Sequence, residues 1–164
     1  MNRKYKLYLE TTIPSYIAAR PSRDIVVLAH QQITQDWWDN CKEGYEMYIS
    51  QIVIEEIISG DPSVANERFS LIEDFHVLDL TNDIEKLTSE YMEYFNFPKH
   101  TLRDAFHLAF SVGYEMDILL TWNCKHLANE AIRKKLRTYN ESRGLTVPSI
   151  CTPEELLTNH EEEV

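Results

Sequence analysis

With 164 residues, of which 43% are hydrophobic and 26% charged, the chain is sized for one domain around one hydrophobic core, and its composition excludes wholesale disorder and fibrous repeats. A formal net charge of −11 argues against non-specific adhesion to nucleic acid or to anionic membranes. The basic start, Met1 to Lys6, leads into too few apolar residues for a signal peptide or for the ~20 that a membrane span needs, so a cytoplasmic location and no membrane association are expected.

In chain order, the first β-like run is Lys6–Leu9, followed by Glu10, two hydroxyl residues and a turn at Pro14. From Arg23 to Lys42, Ile25, Ala29, Ile33, Trp37 and Cys41 recur every fourth residue with Leu28 beside them, which predicts an amphipathic helix. Glu46–Ser50 is the second run, and the helix-period stretch Gln51–Ile58 carries Glu56 about one and a half turns beyond it. Asp61-Pro62-Ser63 opens a helix over Val64–Phe75, His76–Leu80 is the third run, and Thr81-Asn82-Asp83 opens a helix over Ile84–Phe95. Between Thr101 and Gly113 an apolar face of Leu102, Ala105, Phe106, Ala109 and Val112 is backed by the polar residues Asp104, His107 and Ser111. Asp117–Thr121, a helix over His126–Glu141 and the run Pro148–Cys151 complete the series.

Alternation of strands and helices implies right-handed crossovers and a three-layer α/β/α fold with a central, mainly parallel sheet of four to five strands. A single domain is expected over residues 1–156, with an acidic, disordered tail at 157–164. Cys41, Cys124 and Cys151 are odd in number and widely spaced, and are read as small core residues rather than as disulfide or zinc ligands.

In open parallel sheets ligands bind beyond the carboxyl ends of the strands, so the residues there carry the chemistry. Glu10 follows the first run, Glu56 or its neighbour Glu55 follows the second, Asp104 lies in the first turn of the helix that precedes the fourth, and Asn123 follows the fourth. Each has a plainer role open to it: turn capping for Glu10 and Asn123, a helix-dipole partner for Asp104. Carboxylates about 5 Å apart repel by roughly 3 kcal/mol at an effective dielectric of 20, so three in one pocket call for protons or a counter-ion. An all-oxygen ligand set favours Mg²⁺ or Mn²⁺. His100, His107 and His126 are read as surface or satisfied core residues.

These residues resemble the PIN domain and, within it, the VapC-type toxins of prokaryotic toxin–antitoxin pairs. The likeness rests on four motifs in order. Leu9-Glu10-Thr11-Thr12-Ile13 matches a strand ending in an acid and a hydroxyl residue, with Glu where the family usually has Asp; Ser50 through Glu56-Ile57-Ile58-Ser59-Gly60 matches the second motif and selects Glu56 over Glu55. Asp104-Ala105-Phe106-His107-Leu108-Ala109 with Gly113 matches the third, and Thr121-Trp122-Asn123 with Leu127 the fourth, where Asn stands at a position often held by Asp.

The resemblance implies an Mg²⁺- or Mn²⁺-dependent endoribonuclease that leaves 5′-phosphate and 3′-hydroxyl ends. Glu10, Glu56 and Asp104 would hold metal, Asn123 would assist catalysis by placing a water or the metal, and Thr11 and Thr121 would orient the ligands. It also implies a small antitoxin as partner and a homodimer, for which the stripe Ile25–Cys41 with Trp37 and Trp38 offers a surface, although a core face accounts for most of that stripe. Arg133, Lys134, Lys135 and Arg137, and on another side Arg20 and Arg23, are candidate phosphate contacts, with a solvated helix face the plainer reading of the first four, and Tyr16 and Trp122 are candidate base-stacking residues, core packing being the other reading of Trp122. A PIN-like scaffold without catalytic activity, binding RNA or a protein, is the alternative. A nucleotide-binding doubly wound domain is disfavoured by four glycines in all and no phosphate-binding loop motif.

Overall fold

The computed structural model describes residues 3–162, with side chains through residue 157. Five strands, β1 (Tyr5–Leu9), β2 (Tyr45–Ser50), β3 (His76–Leu78), β4 (Ile118–Leu120) and β5 (Ser149–Cys151), form one all-parallel sheet in the order β3-β2-β1-β4-β5. Helices α1 (Thr12–Ala18), α2 (Ile25–Cys41), α3 (Gln51–Ile58), α4 (Pro62–Ile72), α5 (Asn82–Tyr94), α6 (Leu102–Gly113), α7 (Glu130–Ser142) and α8 (Pro153–Glu162) flank it in the expected three-layer α/β/α arrangement. Every run read as a strand pairs into the sheet.

The central strand explains the architecture. Leu7, Tyr8 and Leu9 are all fully buried, as are Leu119 and Leu120 of β4, because a parallel strand covered on both faces has no solvent side. The chain works outward from β1 through β2 to β3, then returns to place β4 on the other flank of β1. The strand order therefore reverses between β1 and β4, which is where such sheets open a crevice. The register pairs Leu9 with Leu120, so the next residues, Glu10 and Thr121, leave the sheet side by side.

Three differences from the sequence expectations have local causes. Residues 12–18 form a helix, not merely a turn, because Pro14 sits in the first turn, where its missing N–H is not needed. α7 begins at Glu130 rather than His126: Asn123 Oδ1 accepts from His126 N, and Asn129 Nδ2 donates to the carbonyls of Cys124 and Lys125, so the intervening residues are held as turns. Trp37 and Trp38 are buried in the core, the plainer reading of their stripe, so the exposed apolar part of α2 is Ile25, Val26 and Leu28 at its other end. Cys41 is buried as expected, but Cys124 lies exposed on the turn after Asn123. As for the expected tail, the described backbone of α8 runs to Glu162, and the side chains from 158 onward lie outside the described residues.

Candidate functional site

Glu10 is the first residue beyond β1, and its backbone N–H still donates to Leu120 O of β4 (3.0 Å). Its side chain is only 4% exposed. Carboxylate Oε2 accepts from Thr12 N (3.0 Å), from Thr12 Oγ1 and from Thr121 Oγ1 (2.8 Å). Thr12 Oγ1 in turn accepts from Trp122 N (2.9 Å), and Thr121 Oγ1 from Asn123 N (2.9 Å). Two threonines thus stitch the exits of β1 and β4 together around one carboxylate. Burial drives the Glu10 carboxyl above the ordinary carboxylate range, against the pull of His107 and of these donors.

Glu56 enters from α3, whose first turn is capped by Ser50, and meets a residue that the sequence reading set aside. His107 of α6 is 1% exposed, and its Nε2 lies 2.7 Å from Glu56 Oε1 and 4.0 Å from Glu10 Oε1. On its other side, Nδ1 shares a 2.7 Å hydrogen bond with Tyr8 Oη, which shares another of 2.7 Å with Ser50 Oγ. Burial favours the neutral ring, but the Glu56 hydrogen bond and the charges of Glu10, Glu56 and Asp104 prevail, and the imidazolium keeps its proton above the usual range. Burial likewise works against the Glu56 charge, yet the His107 bond and charge, aided by Thr11 and Arg103, leave that carboxyl below its ordinary value. His107 is therefore no bystander. Its Nε2 faces both Glu10 and Glu56, and while protonated it balances their charge.

Asp104 lies one turn before His107 on α6, near enough that the charges of His107 and Glu56 both act on it. Its carboxylate is held from the other side: Asn123 Nδ2 donates to Oδ1 (2.9 Å), and His126 Nδ1 lies 3.1 Å from Oδ2. Burial raises the Asp104 carboxyl, opposed by the charges of His107 and His126. Asn123 spends both ends of its amide, Nδ2 on Asp104 and Oδ1 on His126 N, so it positions Asp104 and the turn rather than presenting an oxygen outward.

One ligand atom each from Glu10, Glu56 and His107 lies within 4.8 Å of the other two, whereas Asp104 stands outside that group. Thr11 Oγ1 is buried beside Glu56 and favours its charge, but no hydrogen bond of full geometry satisfies it. Two carboxylates, an imidazole and a poorly satisfied hydroxyl are a donor set that fits a divalent cation. The all-oxygen set expected from the sequence is, in the folded chain, a mixed one.

The basic run of α7 does not form a joint patch. Arg133 donates from Nε to Ile150 O of β5 (3.1 Å) and pairs with Glu155 (3.3 Å), and Arg137 pairs with Glu130 (2.8 Å). Lys134 and Lys135 are exposed but point elsewhere around the helix, since successive residues are 100° apart. A cation that was not singled out does act on the acids: exposed Arg103, whose charge favours ionised Glu56, while Lys99 and Lys125 are exposed beside His100 and His126 in the chain. Phe97 and His100 meet the His126 ring edge-on, at 6.2 and 6.3 Å. Trp122 is buried, with His30 stacked on it at 4.0 Å, Tyr16 at 6.4 Å and Nε1 donating to Thr34 Oγ1 (2.7 Å), so its ring is committed to packing. A cavity of about 760 Å³, lined by Trp38, Tyr45 and Phe75 among others, opens at the amino ends of the strands, away from all of this chemistry.

No protein-family model matches the chain, and no curated protein matches it in sequence. Solved structures do share its fold. A chain of VapBC2 from Rickettsia felis, in a crystal structure with a DNA fragment from their promoter, aligns with a TM-score of 0.55 over 89% of this chain and 97% of that one, at 11% identity. A chain of a toxin–antitoxin complex from Klebsiella pneumoniae aligns with a TM-score of 0.58 over 90% of this chain and 98% of that one, at 16% identity. At such identities the likeness establishes the fold, and it is the fold that the resemblance to VapC-type PIN domains implied.

Proposed function

We propose that the chain is a metal-dependent endoribonuclease that hydrolyses RNA phosphodiester bonds, acting as the toxin of a type II toxin–antitoxin pair. The observation that carries this reading is the approach of Glu10, Glu56 and Asp104, from three separate elements, to His107 beside the strand-order reversal, with Glu10 almost wholly buried. Carboxylates gathered in this way cannot all stay ionised without compensating charge. Mg²⁺ or Mn²⁺ held by Glu10, Glu56 and Asp104, directly or through water, would supply it. When bound, such a cation polarises the phosphoryl oxygen and lowers the pKa of an attacking water.

The chain's own groups divide the remaining work. Thr12 and Thr121 fix the Glu10 carboxylate, and Asn123 and His126 fix that of Asp104, so neither can swing as substrate arrives. Arg103, with Lys99 and Lys125, contacts the phosphates of single-stranded RNA on the exposed side of the crevice, in place of the α7 run. A small antitoxin would cover the same crevice, and a homodimer would form away from Trp37 and Trp38.

One observation favours a second reading. His107 already neutralises part of the carboxylate charge, as it would in a PIN-like scaffold that binds RNA or protein without cutting. The purified chain decides between them. Cleavage of single-stranded RNA that requires Mn²⁺ or Mg²⁺, stops with a chelator and is lost in Asp104→Ala supports the nuclease. Intact RNA at every cation tried, or equal cleavage by the variant, removes it.

A further inference from the structure

We propose that His107 is itself a metal ligand, completing with Glu10 and Glu56 a nitrogen–oxygen donor set that takes Mn²⁺ in preference to Mg²⁺. The inference rests on the reading of this crevice as a cation site, but departs from the acid-only set Glu10, Glu56 and Asp104 that the family resemblance implies.

Spacing comes first. His107 Nε2 stands 2.7 Å from Glu56 Oε1 and 4.0 Å from Glu10 Oε1. Adjacent ligand atoms on a six-coordinate ion with bonds of about 2.1 Å are about 3.0 Å apart, and opposite ones about 4.2 Å. The separations of 2.7 and 4.0 Å are therefore close to the adjacent and opposite spacings of one coordination shell, and one ligand atom from each of the three residues lies within 4.8 Å of the others. A cation entering between them takes the place of the proton that Nε2 and Glu56 share.

Orientation comes next. A ligating histidine fixes its ring by using the other nitrogen in a hydrogen bond, which also leaves the ligating nitrogen unprotonated. His107 Nδ1 faces Tyr8 Oη at 2.7 Å, and Tyr8 is tied in turn to Ser50 Oγ at 2.7 Å. All three side chains are buried, and the ring also packs against Tyr8 at 5.7 Å, so it cannot turn Nε2 away from the acids. Asp104 has the opposite arrangement. Each of its oxygens faces a partner, Asn123 on one and His126 on the other, and it stands outside the three-residue group. Thr11 Oγ1, buried beside Glu56 without a hydrogen bond of full geometry, is a hydroxyl that a hydrated cation would satisfy better.

Selectivity follows from the donors. Mg²⁺ is bound by oxygen and holds its waters tightly, whereas imidazole suits the first-row transition ions. A site with one buried nitrogen discriminates against Mg²⁺ in a way that three carboxylates do not.

The test separates a ligand from a counter-ion, because the two predict opposite signs. Calorimetry with Mn²⁺ and with Mg²⁺ is run on the wild-type chain and on His107→Gln, and the Mn²⁺-loaded wild type is examined by pulsed electron paramagnetic resonance for coupling to ¹⁴N. A ligand role gives nitrogen coupling that persists in His126→Gln, Mn²⁺ affinity at least tenfold above that for Mg²⁺, and a loss of about tenfold or more of Mn²⁺ affinity in His107→Gln with Mg²⁺ less affected. Bound Mn²⁺ without nitrogen coupling overturns the proposal, as does a His107→Gln variant that binds Mn²⁺ more tightly because a competing positive charge has gone, or a wild-type chain that binds no Mn²⁺. If the variant fails to fold, the nitrogen coupling of the wild type decides alone. Failure of the nuclease reading looks different: Mn²⁺ bound with nitrogen coupling in a chain that leaves RNA intact upholds the ligand and removes the enzyme, whereas RNA cleavage with Mn²⁺ bound and no nitrogen coupling does the reverse.

Discussion

Replacing Thr121 by valine tests whether hydroxyls hold the crevice together. The substituted methyl occupies the space of Oγ1, so the change removes hydrogen bonding with little change of volume. Two bonds go: the donor to Glu10 Oε2 at 2.8 Å and the acceptor for Asn123 N at 2.9 Å. A hydrogen bond to a charged group contributes about 1.5–3 kcal/mol, and a buried polar group left unsatisfied costs about 1–3 kcal/mol. Glu10 keeps both Thr12 donors and Asn123 is half-buried, so the loss should fall in the lower part of the combined range, about 2–4 kcal/mol. Urea unfolding at neutral pH measures it as a lower midpoint with unchanged slope, which at a slope of about 2 kcal/mol/M is a shift of about 1–2 M. Thr88→Val is the control, since Thr88 Oγ1 donates only to Ile84 O within its own helix (2.7 Å). Its expected loss is under about 1 kcal/mol. A Thr121→Val loss no greater than that of the control would refute the idea that threonines set the Glu10 carboxylate in place.

Three further outcomes follow from the same geometry. In the metal-free chain Glu10, Asp104 and His107 all hold their protons more tightly than when unfolded, so their contribution is full below the ordinary values and lost as pH rises through the raised ones. Glu56 has the opposite sign and loses its contribution only as pH falls through its lowered value, so from pH 6.5 upward the melting temperature of the metal-free chain should fall, and excess Mn²⁺ should reverse the slope; a metal-free profile that rises there contradicts the charge assignment. Asn123→Asp turns the 2.9 Å donor to Asp104 into a facing carboxylate, which should lower the metal-free melting temperature by about 5–10 °C, for about 2–3 kcal/mol of repulsion after solvent screening, with recovery in Mn²⁺. Arg103→Glu should raise the KM for short single-stranded RNA and reduce the salt dependence of binding by about one phosphate contact, whereas Arg133→Ala should leave RNA affinity unchanged and lower stability by about 0.5–1.5 kcal/mol, because Arg133 is tied to Ile150 O and Glu155; reversed effects in a binding titration would restore the α7 run as the RNA surface.

The sequence exposed the sheet and the acids for the same reason: a strand buried on both faces reads as an unbroken apolar run, and a charge just beyond one is conspicuous. Glu10 is legible in that way, and Glu56 and Asp104 through the helices that follow β2 and precede β4. His107 was not, because a lone histidine on a helix usually is a satisfied core residue. The available signal was its spacing from Asp104, three residues on the same polar face, which put it beside an acid already under suspicion. The α7 run misled in the converse manner. Four cations in five positions look like a patch when written in a line, but Arg133 and Arg137 share one face of the helix and find carboxylate partners there, while Lys134 and Lys135 point away. Pro14 disguised α1, since a proline reads as a break until its place in the first turn is known.

The stitch between Thr121 and Glu10 spans 111 residues of chain. During synthesis at about 5–20 residues per second, the first acid therefore waits roughly 6–20 s before the strand that anchors it has been made. Until β4 slots in beside β1, Glu10 lacks both its threonine from across the sheet and a wall against water, while Asp104 lacks the amide that aims it. A nascent or clipped chain that ends before Asn123 therefore carries Glu10, Glu56 and Asp104 without the partners that set them in place.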